Sequence, residues 1–347
     1  MHAVYLRSHG ETDSVVVAER PLPQPAAGQV RVHVECAACN HVDLYMRNSG
    51  KGITHALPLI LGVDGAGSVD AIGAGIDNWR AGDRVVIYPA QTCGHCEFCR
   101  SGQQMLCLKC KVVGEHIDGT FAEFVCVDES TLFALPDDIA FDVAATLPTA
   151  YLTAWRMIMT QARVQPAETV LIHGIGGGVA LASMQMAQLA GARVIVTSSS
   201  DDKLERARQL AAERGVNHRR EDVVAAVMEF TQGRGVDVVI DNVGEASWPA
   251  SLRAVRRGGR IVTCGATSGP QPSADLQRVF IRQIQISGST LGTHDEFRAL
   301  LAAVAQRQIV PVIDRSFDFD EAEHALTWLE QGRQFGKLTL KINPGSR

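Results

Sequence analysis

The hydrophobic pattern of this chain changes period once. From Val4 to about Val127, short apolar or alternating runs stand between glycine-bearing turns: VRVHVE (30–35), AGSVDAIG (66–73) and GDRVVIYP (82–89), with no long helical period before Phe141. Alternation over four to eight residues predicts half-buried strands, and a series of them predicts a compact β-rich domain of irregular barrel type. From about Ser130 the character changes. IAFDVAATLPTAYLTAWRMIM (139–159) reads as helical segments around Pro148. Beyond it, strand-length apolar runs, VLIH (170–173), RVIVTS (193–198), VDVVID (236–241), GRIVTCGA (259–266) and QIQISGST (283–290), alternate with helical stretches such as LERARQLAAERG and EDVVAAVMEFTQG. That order predicts an α/β domain with a doubly wound parallel sheet. After Thr293 come a helix, the run VPVIDRSFDF, a second helix from Asp320 to about Gly332 and a last strand GKLTLKI. These are expected to return to the first domain, which gives a plan of 1–128 completed by 293–347, with 129–292 between, and an active cleft between the two.

The stretch Thr169 to Lys203 is the most informative. Val170, Leu171 and Ile172 form a run short enough for a strand buried on both faces; Gly174, Gly176, Gly177 and Gly178 follow, and a segment free of Gly and Pro runs from Val179 to Ala190. The turn reads Gly174-x-x-Gly177-x-x-Ala180, a variant of the glycine fingerprint that lets backbone N–H groups approach a pyrophosphate at a helix N-terminus. An ordinary strand-to-helix turn has the same glycines, but the flanking strand, helix and second strand are what a dinucleotide site requires. The end of that second strand reads Thr197-Ser198-Ser199-Ser200, where a site for NAD carries an acid. Hydroxyls at Ser198 and Ser199, with Lys203 and with Arg219 at the end of the third strand, are suited to a 2′-phosphate, so NADPH is the expected cofactor. The plain alternative is that Ser200 and Asp201 cap the next helix and Lys203 is solvated. Gly265 and Ala266, at the carboxyl end of a central strand, are expected to face the nicotinamide.

Composition narrows the class. The chain has 347 residues, 46% of them apolar and 20% charged, as in ordinary globular proteins of two domains. A net charge of −5 argues against a nucleic-acid or anionic-membrane surface. No apolar run approaches a bilayer span and the first residues lack the apolar core of a secretory signal, so a cytoplasmic location is expected. Five of the nine cysteines lie between Cys93 and Cys110. Cys93, Cys96, Cys99 and Cys107 place four thiolates within fifteen residues, a set that closes a tetrahedron around a structural Zn²⁺ and leaves no open position. Disulfides or free thiols are the competing readings, and Cys110 and His95 are expected to stay outside the shell. Cys36, Cys126 and Cys264 read as small core residues.

Taken together, GVDGAGSVDAIG (62–73), AGDRVV (81–86), the cysteine lobe, TAYLTAW (149–155), GRGVDVVIDNVG (233–244), GGRIVTCGA (258–266) and FGKLTL (335–340) resemble the medium-chain dehydrogenase/reductase superfamily over essentially the whole chain. The resemblance implies a GroES-like catalytic domain, a Rossmann coenzyme domain and hydride transfer. Zinc alcohol dehydrogenases of that superfamily hold a catalytic zinc through a Cys three residues before an Asp, the His of a G-H-E segment and a third Cys, Asp or Glu. Aligned on Asp43, the first position here is Asn40, the second segment is Gly62-Val63-Asp64, and ATLPTAYLTAW has no thiol or carboxylate. Asn40-His41-Val42-Asp43-Leu44-Tyr45 is instead similar to the N-x-x-D-x-Y stretch of the quinone oxidoreductase branch. Quinone and enoyl (acryloyl-CoA-like) reductases of that branch pass hydride from NADPH to a conjugated acceptor.

The expected activity is therefore NADPH-dependent reduction of a quinone or α,β-unsaturated carbonyl, without catalytic zinc. Asn40 is expected to orient the ribose or the substrate oxygen, Tyr45 to supply a proton or hydrogen bond, His41 to relay a proton, and Thr149 to line the nicotinamide pocket. Each has a plain reading as well: Asp43 as a turn or ion-pair residue, Tyr45 as a core-edge aromatic, His41 as an exposed turn residue. His55 is a weaker candidate for the cavity or the nicotinamide pocket, and Lys51 for contact with an anionic substrate such as an acyl-CoA phosphate, beside its plain reading as a solvated loop lysine. Two alternatives stand beside this: a zinc-dependent alcohol dehydrogenase using Cys39, His41 and Asp64, and a non-enzymatic NADPH-binding or sensing protein. The apolar last strand of the sheet, QIQISGST, is expected to pair with its twin in a homodimer or dimer of dimers.

Overall fold

The computed structural model describes residues 1–10 and 14–342, so the last five residues of the expected return segment lie outside the described residues. The chain forms two compact units: Met1–Ala150 with Gly292–Arg347, and Tyr151–Leu291.

In the first unit the alternating run around Val30 becomes a ten-residue strand, Gln29–Ala38, with Val30, Val32 and Val34 buried. It is the centre of a seven-stranded sheet. Asp64–Ile72 pairs with it on one side, and Arg84–Ile87 and Leu132–Ala134 follow outward. Lys337–Lys341 and then Ile313–Asp318 lie on the other side, and Phe124–Asp128 pairs with its first half. A three-stranded sheet, Val15–Glu19, His2–Leu6 and Leu59–Ile60, completes the β-rich part. The late strands lie in this sheet: Thr339 lies opposite Ala38, and Leu338 and Leu340 join Val32, Val34, Val85 and Ile87 in one core. This unit also runs past the boundary expected at residue 128. Leu132–Ala134 is bound into its sheet and the helix Phe141–Ala145 packs on Gln29–Ala38 and Asp64–Ile72, so the chain leaves only after Ala150.

The second unit is a six-stranded sheet in the order Arg214–Asn217, Arg193–Ser198, Thr169–Ile172, Val236–Asp241, Val255–Thr263, Gln285–Gly288, every neighbour parallel. Parallel strands need crossovers, and the helices Gly178–Leu189, Asp201–Gln209, Val223–Phe230, Trp248–Ala254 and Leu276–Arg282 supply them. Two elements are shorter than the pattern suggests. LERARQLAAERG stops being helical at Gln209, because Ala211 turns to φ +66° and frees the chain for the strand Arg214–Asn217. The last strand is only Gln285–Gly288, because Gln283 takes a left-handed conformation to end the preceding helix. No helix among the described residues is long and apolar enough to cross a membrane.

One buried hydrogen bond ties the return segment of the first unit to its sheet. The Tyr88 hydroxyl donates to the Gly292 carbonyl at 2.7 Å, and its ring packs edge-on against His294 at 4.6 Å. Tyr88→Phe keeps the packing but orphans that carbonyl, which costs about 1–2 kcal/mol. A thermal midpoint a few degrees below wild type in calorimetry is expected, and an unchanged midpoint would discount the bond.

Candidate functional site

In the first unit the polar residues singled out from the sequence converge on an ammonium group that the sequence reading did not single out. Lys337, the first residue of the return strand Lys337–Lys341, is 3% exposed. Its Nζ donates to the Cys39 carbonyl at 2.8 Å and to Asn40 Oδ1 at 2.6 Å, and lies 3.5 Å from Asp64 Oδ2. Asn40 Nδ2 donates to Asp64 Oδ2 at 2.9 Å and to the Ala38 carbonyl at 3.2 Å. Thr149, in the π-helical turn Leu147–Tyr151, donates its hydroxyl to Asp64 Oδ1 at 2.6 Å. Burial pushes the Asp64 carboxyl upward, against the opposing pull of Lys337 and of the Thr149 and Asn40 donors. The cluster is closed: three ammonium hydrogens face three oxygens, and the Asn40 amide expected to orient substrate is spent inside the protein. Thr149 is its half-buried member.

Asn40 is also the N-cap of the helix His41–Asn48, in a capping box with Asp43, whose Oδ2 accepts the Asn40 N–H at 2.7 Å. Asp43 Oδ1 is buried without a partner, and burial, opposed by the Asn40 N–H and reinforced by Asp64, pushes its carboxyl up to about 7. His41, the first helical residue, is exposed at the residue level, yet the protein around its ring and the charge of Lys337 lower its pKa and favour the neutral form. Tyr45 is exposed, and its hydroxyl donates to the Lys51 carbonyl. His55 stands apart from the cluster, with its Nε2 2.8 Å from Nε2 of His9.

The alternative metal site does not assemble. Cys39 packs in the hydrophobic core, where burial pushes its thiol up, Asp64 is taken by Lys337, and Cys39, His41 and Asp64 do not form a converging donor group among the described residues. Among the described residues, the group of donors that can hold a metal is Cys93, Cys96, Cys99 and Cys107, whose sulfurs lie within 4.8 Å of one another. A zinc–thiolate tetrahedron has edges of about 3.8 Å; the Cys93–Cys99 and Cys96–Cys99 sulfur distances are 3.9 and 3.5 Å. Backbone N–H groups of Cys93, Cys96 and Lys109 point at these sulfurs, as thiolate ligands require. The donor set fits zinc. His95 Nδ1 bonds instead to the Cys93 carbonyl.

In the second unit the glycine turn is built on left-handed backbone and close packing. Gly174 and Gly176 have φ of +73° and +112°, and a Cβ on Gly176 would come within 2.7 Å of Lys203 Cδ. Gly177 is the N-cap and Gly178 the first residue of the helix Gly178–Leu189, followed by Val179. Ser199 is exposed, whereas Ser198 is buried and its Oγ accepts the Ser200 N–H at 3.2 Å. Asp201, the first acid past the strand, is held by Arg220 at 2.6 Å and Asn217 at 2.5 Å. Arg219 is exposed, and Gly265 and Ala266 follow Val255–Thr263. A cavity of about 390 Å³ opens at these strand ends, lined by His173, Gly174, Thr197, His218, Val243 and Ser247 among others. Lys337 and His173 were missed from the sequence. The only signal for Lys337 was a cation in the first, buried place of an apolar strand.

Known proteins share this architecture. Residues 26–137 match the alcohol dehydrogenase GroES-like domain and 178–306 the zinc-binding dehydrogenase domain. A zinc-type alcohol dehydrogenase-like protein of Schizosaccharomyces pombe is 30% identical over 339 residues, covering 95% of this chain and 96% of its own. The crystal structure of an NAD-dependent alcohol dehydrogenase superposes with a TM-score of 0.94 at 38% identity, covering 99% of this chain and all of its own. A crotonyl-CoA carboxylase/reductase does so with a TM-score of 0.91 at 27% identity, over all of this chain and 89% of its own.

The raised Asp43 carboxyl has a thermodynamic consequence. The unfolded chain ionises it near pH 4 while the folded chain keeps the proton to about pH 7, so its contribution to stability is present below about pH 4 and lost as pH rises toward 7. Asp43→Asn retains an oxygen for the Asn40 N–H and removes this titration. The fall in thermal midpoint between pH 5 and 8 is expected to be smaller than in wild type; Glu115, also pushed up to about 7 by burial, is present in both proteins. Identical slopes would show that Asp43 ionises normally.

Proposed function

Because the chain belongs to the medium-chain dehydrogenase/reductase superfamily and is an oxidoreductase of that type, we propose that it is an NADPH-dependent reductase of conjugated acceptors, quinones or α,β-unsaturated carbonyls. The observation that carries this reading is the closed cluster around Lys337. A catalytic zinc needs three protein donors around an open position. Here Asn40, Asp64 and Thr149 spend their donors and acceptors on one another and on an ammonium whose charge would repel a metal. Without a Lewis acid, charge developing on a simple ketone oxygen is poorly stabilised, whereas a conjugated acceptor spreads it over its own framework.

The cofactor supplies the hydride when bound. The glycine turn, Gly174 to Gly178, would hold its pyrophosphate against the start of the helix Gly178–Leu189. Two observations favour a 2′-phosphate: no acid stands at Ser198 or Ser199, and Asp201 is neutralised by Arg220. Lys203 and Arg219 are the cations for that phosphate. Thr149 donates its hydrogen to Asp64, so toward any ligand its oxygen would act as an acceptor of hydrogen bonds. Tyr45 must release the Lys51 carbonyl to give a proton, and the neutral His41 ring offers one N–H and one lone pair. Cys93, Cys96, Cys99 and Cys107 would hold one structural zinc, which fixes the lobe and takes no part in the chemistry.

The edge strand Gln285–Gly288 exposes Ile286, and Leu276, Phe280 and Ile281 are exposed on the helix before it. A second copy of the chain is proposed to cover them, and a monomer in light scattering would overturn this.

The reading predicts one zinc per chain by elemental analysis. It also predicts NADPH oxidation with quinones, enones or acryloyl-CoA at least tenfold faster than with unconjugated aldehydes and ketones. Two zinc ions per chain with brisk oxidation of plain alcohols would replace it by a zinc alcohol dehydrogenase. Tight NADPH binding with no turnover on any acceptor would leave a sensing protein.

A further inference from the structure

His173 follows the strand Thr169–Ile172 and precedes Gly174, and it is 3% exposed. Its backbone N–H is taken by the Ile240 carbonyl at 3.1 Å. Ring Nδ1 lies 3.2 Å from Thr197 Oγ1 and Nε2 lies 3.1 Å from Ser251 Oγ.

The partners decide where the protons are. The other neighbours of Ser251 Oγ are Asp241 Oδ2 at 2.6 Å and the Ser247 carbonyl at 3.2 Å, both acceptors. Its single hydrogen goes to one of them, so toward His173 the serine oxygen accepts, and Nε2 carries a hydrogen. Asp241 is held as an acceptor by the backbone N–H groups of Val243 and Gly244, each at 3.0 Å, and by the Ser247 hydroxyl. Burial lowers the pKa of His173 and keeps the ring neutral, so Nδ1 has a lone pair and accepts from the Thr197 hydroxyl. Thr197 Oγ1 in turn accepts the Gly174 N–H at 3.3 Å. The chain of bonds therefore runs one way on each side of the ring: Gly174 N–H to Thr197 to His173 Nδ1, and His173 Nε2 to Ser251 to Asp241. It joins the carboxyl ends of three adjacent strands, Arg193–Ser198, Thr169–Ile172 and Val236–Asp241. The first glycine of the turn is thus set by a ring whose every polar atom is assigned.

We propose that His173, as a neutral Nε2-protonated ring, is the positioning residue of the glycine turn and sets the affinity of this unit for the dinucleotide through Thr197 and Gly174. This rests on the dinucleotide reading above. His173 lines the cavity at the strand ends, and Ser251 does not. A change at Ser251 therefore reaches a bound dinucleotide through its bonded neighbours, His173 on one side and Asp241 with Ser247 on the other.

The test measures NADPH binding by fluorescence titration for wild type, His173→Phe and Ser251→Ala, with thermal midpoints alongside, and the histidine tautomer in the ¹⁵N-labelled wild-type protein by long-range ¹H–¹⁵N spectra. Expected are an Nε2–H tautomer for His173, a dissociation constant raised at least tenfold in His173→Phe, and a threefold or larger rise in Ser251→Ala with its fold intact. If His173→Phe fails to fold, the tautomer and Ser251→Ala decide. An Nδ1–H or doubly protonated His173, or unchanged affinity in folded Ser251→Ala, overturns the proposal. Wild type that binds neither NADPH nor NADH refutes the dinucleotide reading instead, whatever the tautomer.

Discussion

A lysine ammonium buried to 97% must be compensated, and in this chain the compensation joins four separate stretches of sequence. Lys337 enters from the return strand, Asn40 and the Cys39 carbonyl from the turn after the central strand, Asp64 from the next strand, and Thr149 from a π-helical turn. Taking one charge out of water costs several kcal/mol, and removing one partner strands the other, so the arrangement holds only if every oxygen around the ammonium stays in place. That demand fixes the register of the last strand against the central one and ties both to the helix capped by Asn40. Charge, strand register and helix start are one constraint.

The same cluster bears on the donors around Asn40. Thiol, imidazole and carboxylate side chains are all present near Asn40, but they do not converge: Cys39 lies in the core, Asp64 is taken by the ammonium, and His41 stands at the helix start beside the charge of Lys337. Residue types within a short window do not make a metal centre; convergent lone pairs do. The lobe from Cys93 to Cys107 meets that condition, because its four sulfurs converge and nearby backbone N–H groups point at them.

Each unit is also organised by hydrogen-bond direction. The first closes its network on itself and leaves Thr149 half exposed. The second runs its buried bonds from the glycine turn through His173 to Asp241, across the strand ends where the cavity opens. In both, a buried polar side chain is held in one orientation by its hydrogen-bond partners, which turns a polar group in the interior into a source of fixed geometry.

Much was legible along the chain because it depends on local periodicity. The alternation of VRVHVE, the buried run VLIH before four glycines, the strand–helix order that follows, and the spacing of Cys93, Cys96, Cys99 and Cys107 were each decided within about twenty residues. Backbone geometry and ligand reach act at that range. The return of GKLTLKI to the first sheet was also readable, since an apolar strand must find a partner. What the sequence alone did not determine is where side chains distant in sequence meet. Lys337 and Asn40 are almost 300 positions apart, and His173 and Ser251 are 78 apart. Only tertiary packing chose those pairs, because a buried charge or ring nitrogen is satisfied by whichever partner the folded sheet brings within 3 Å, and no local pattern encodes that choice.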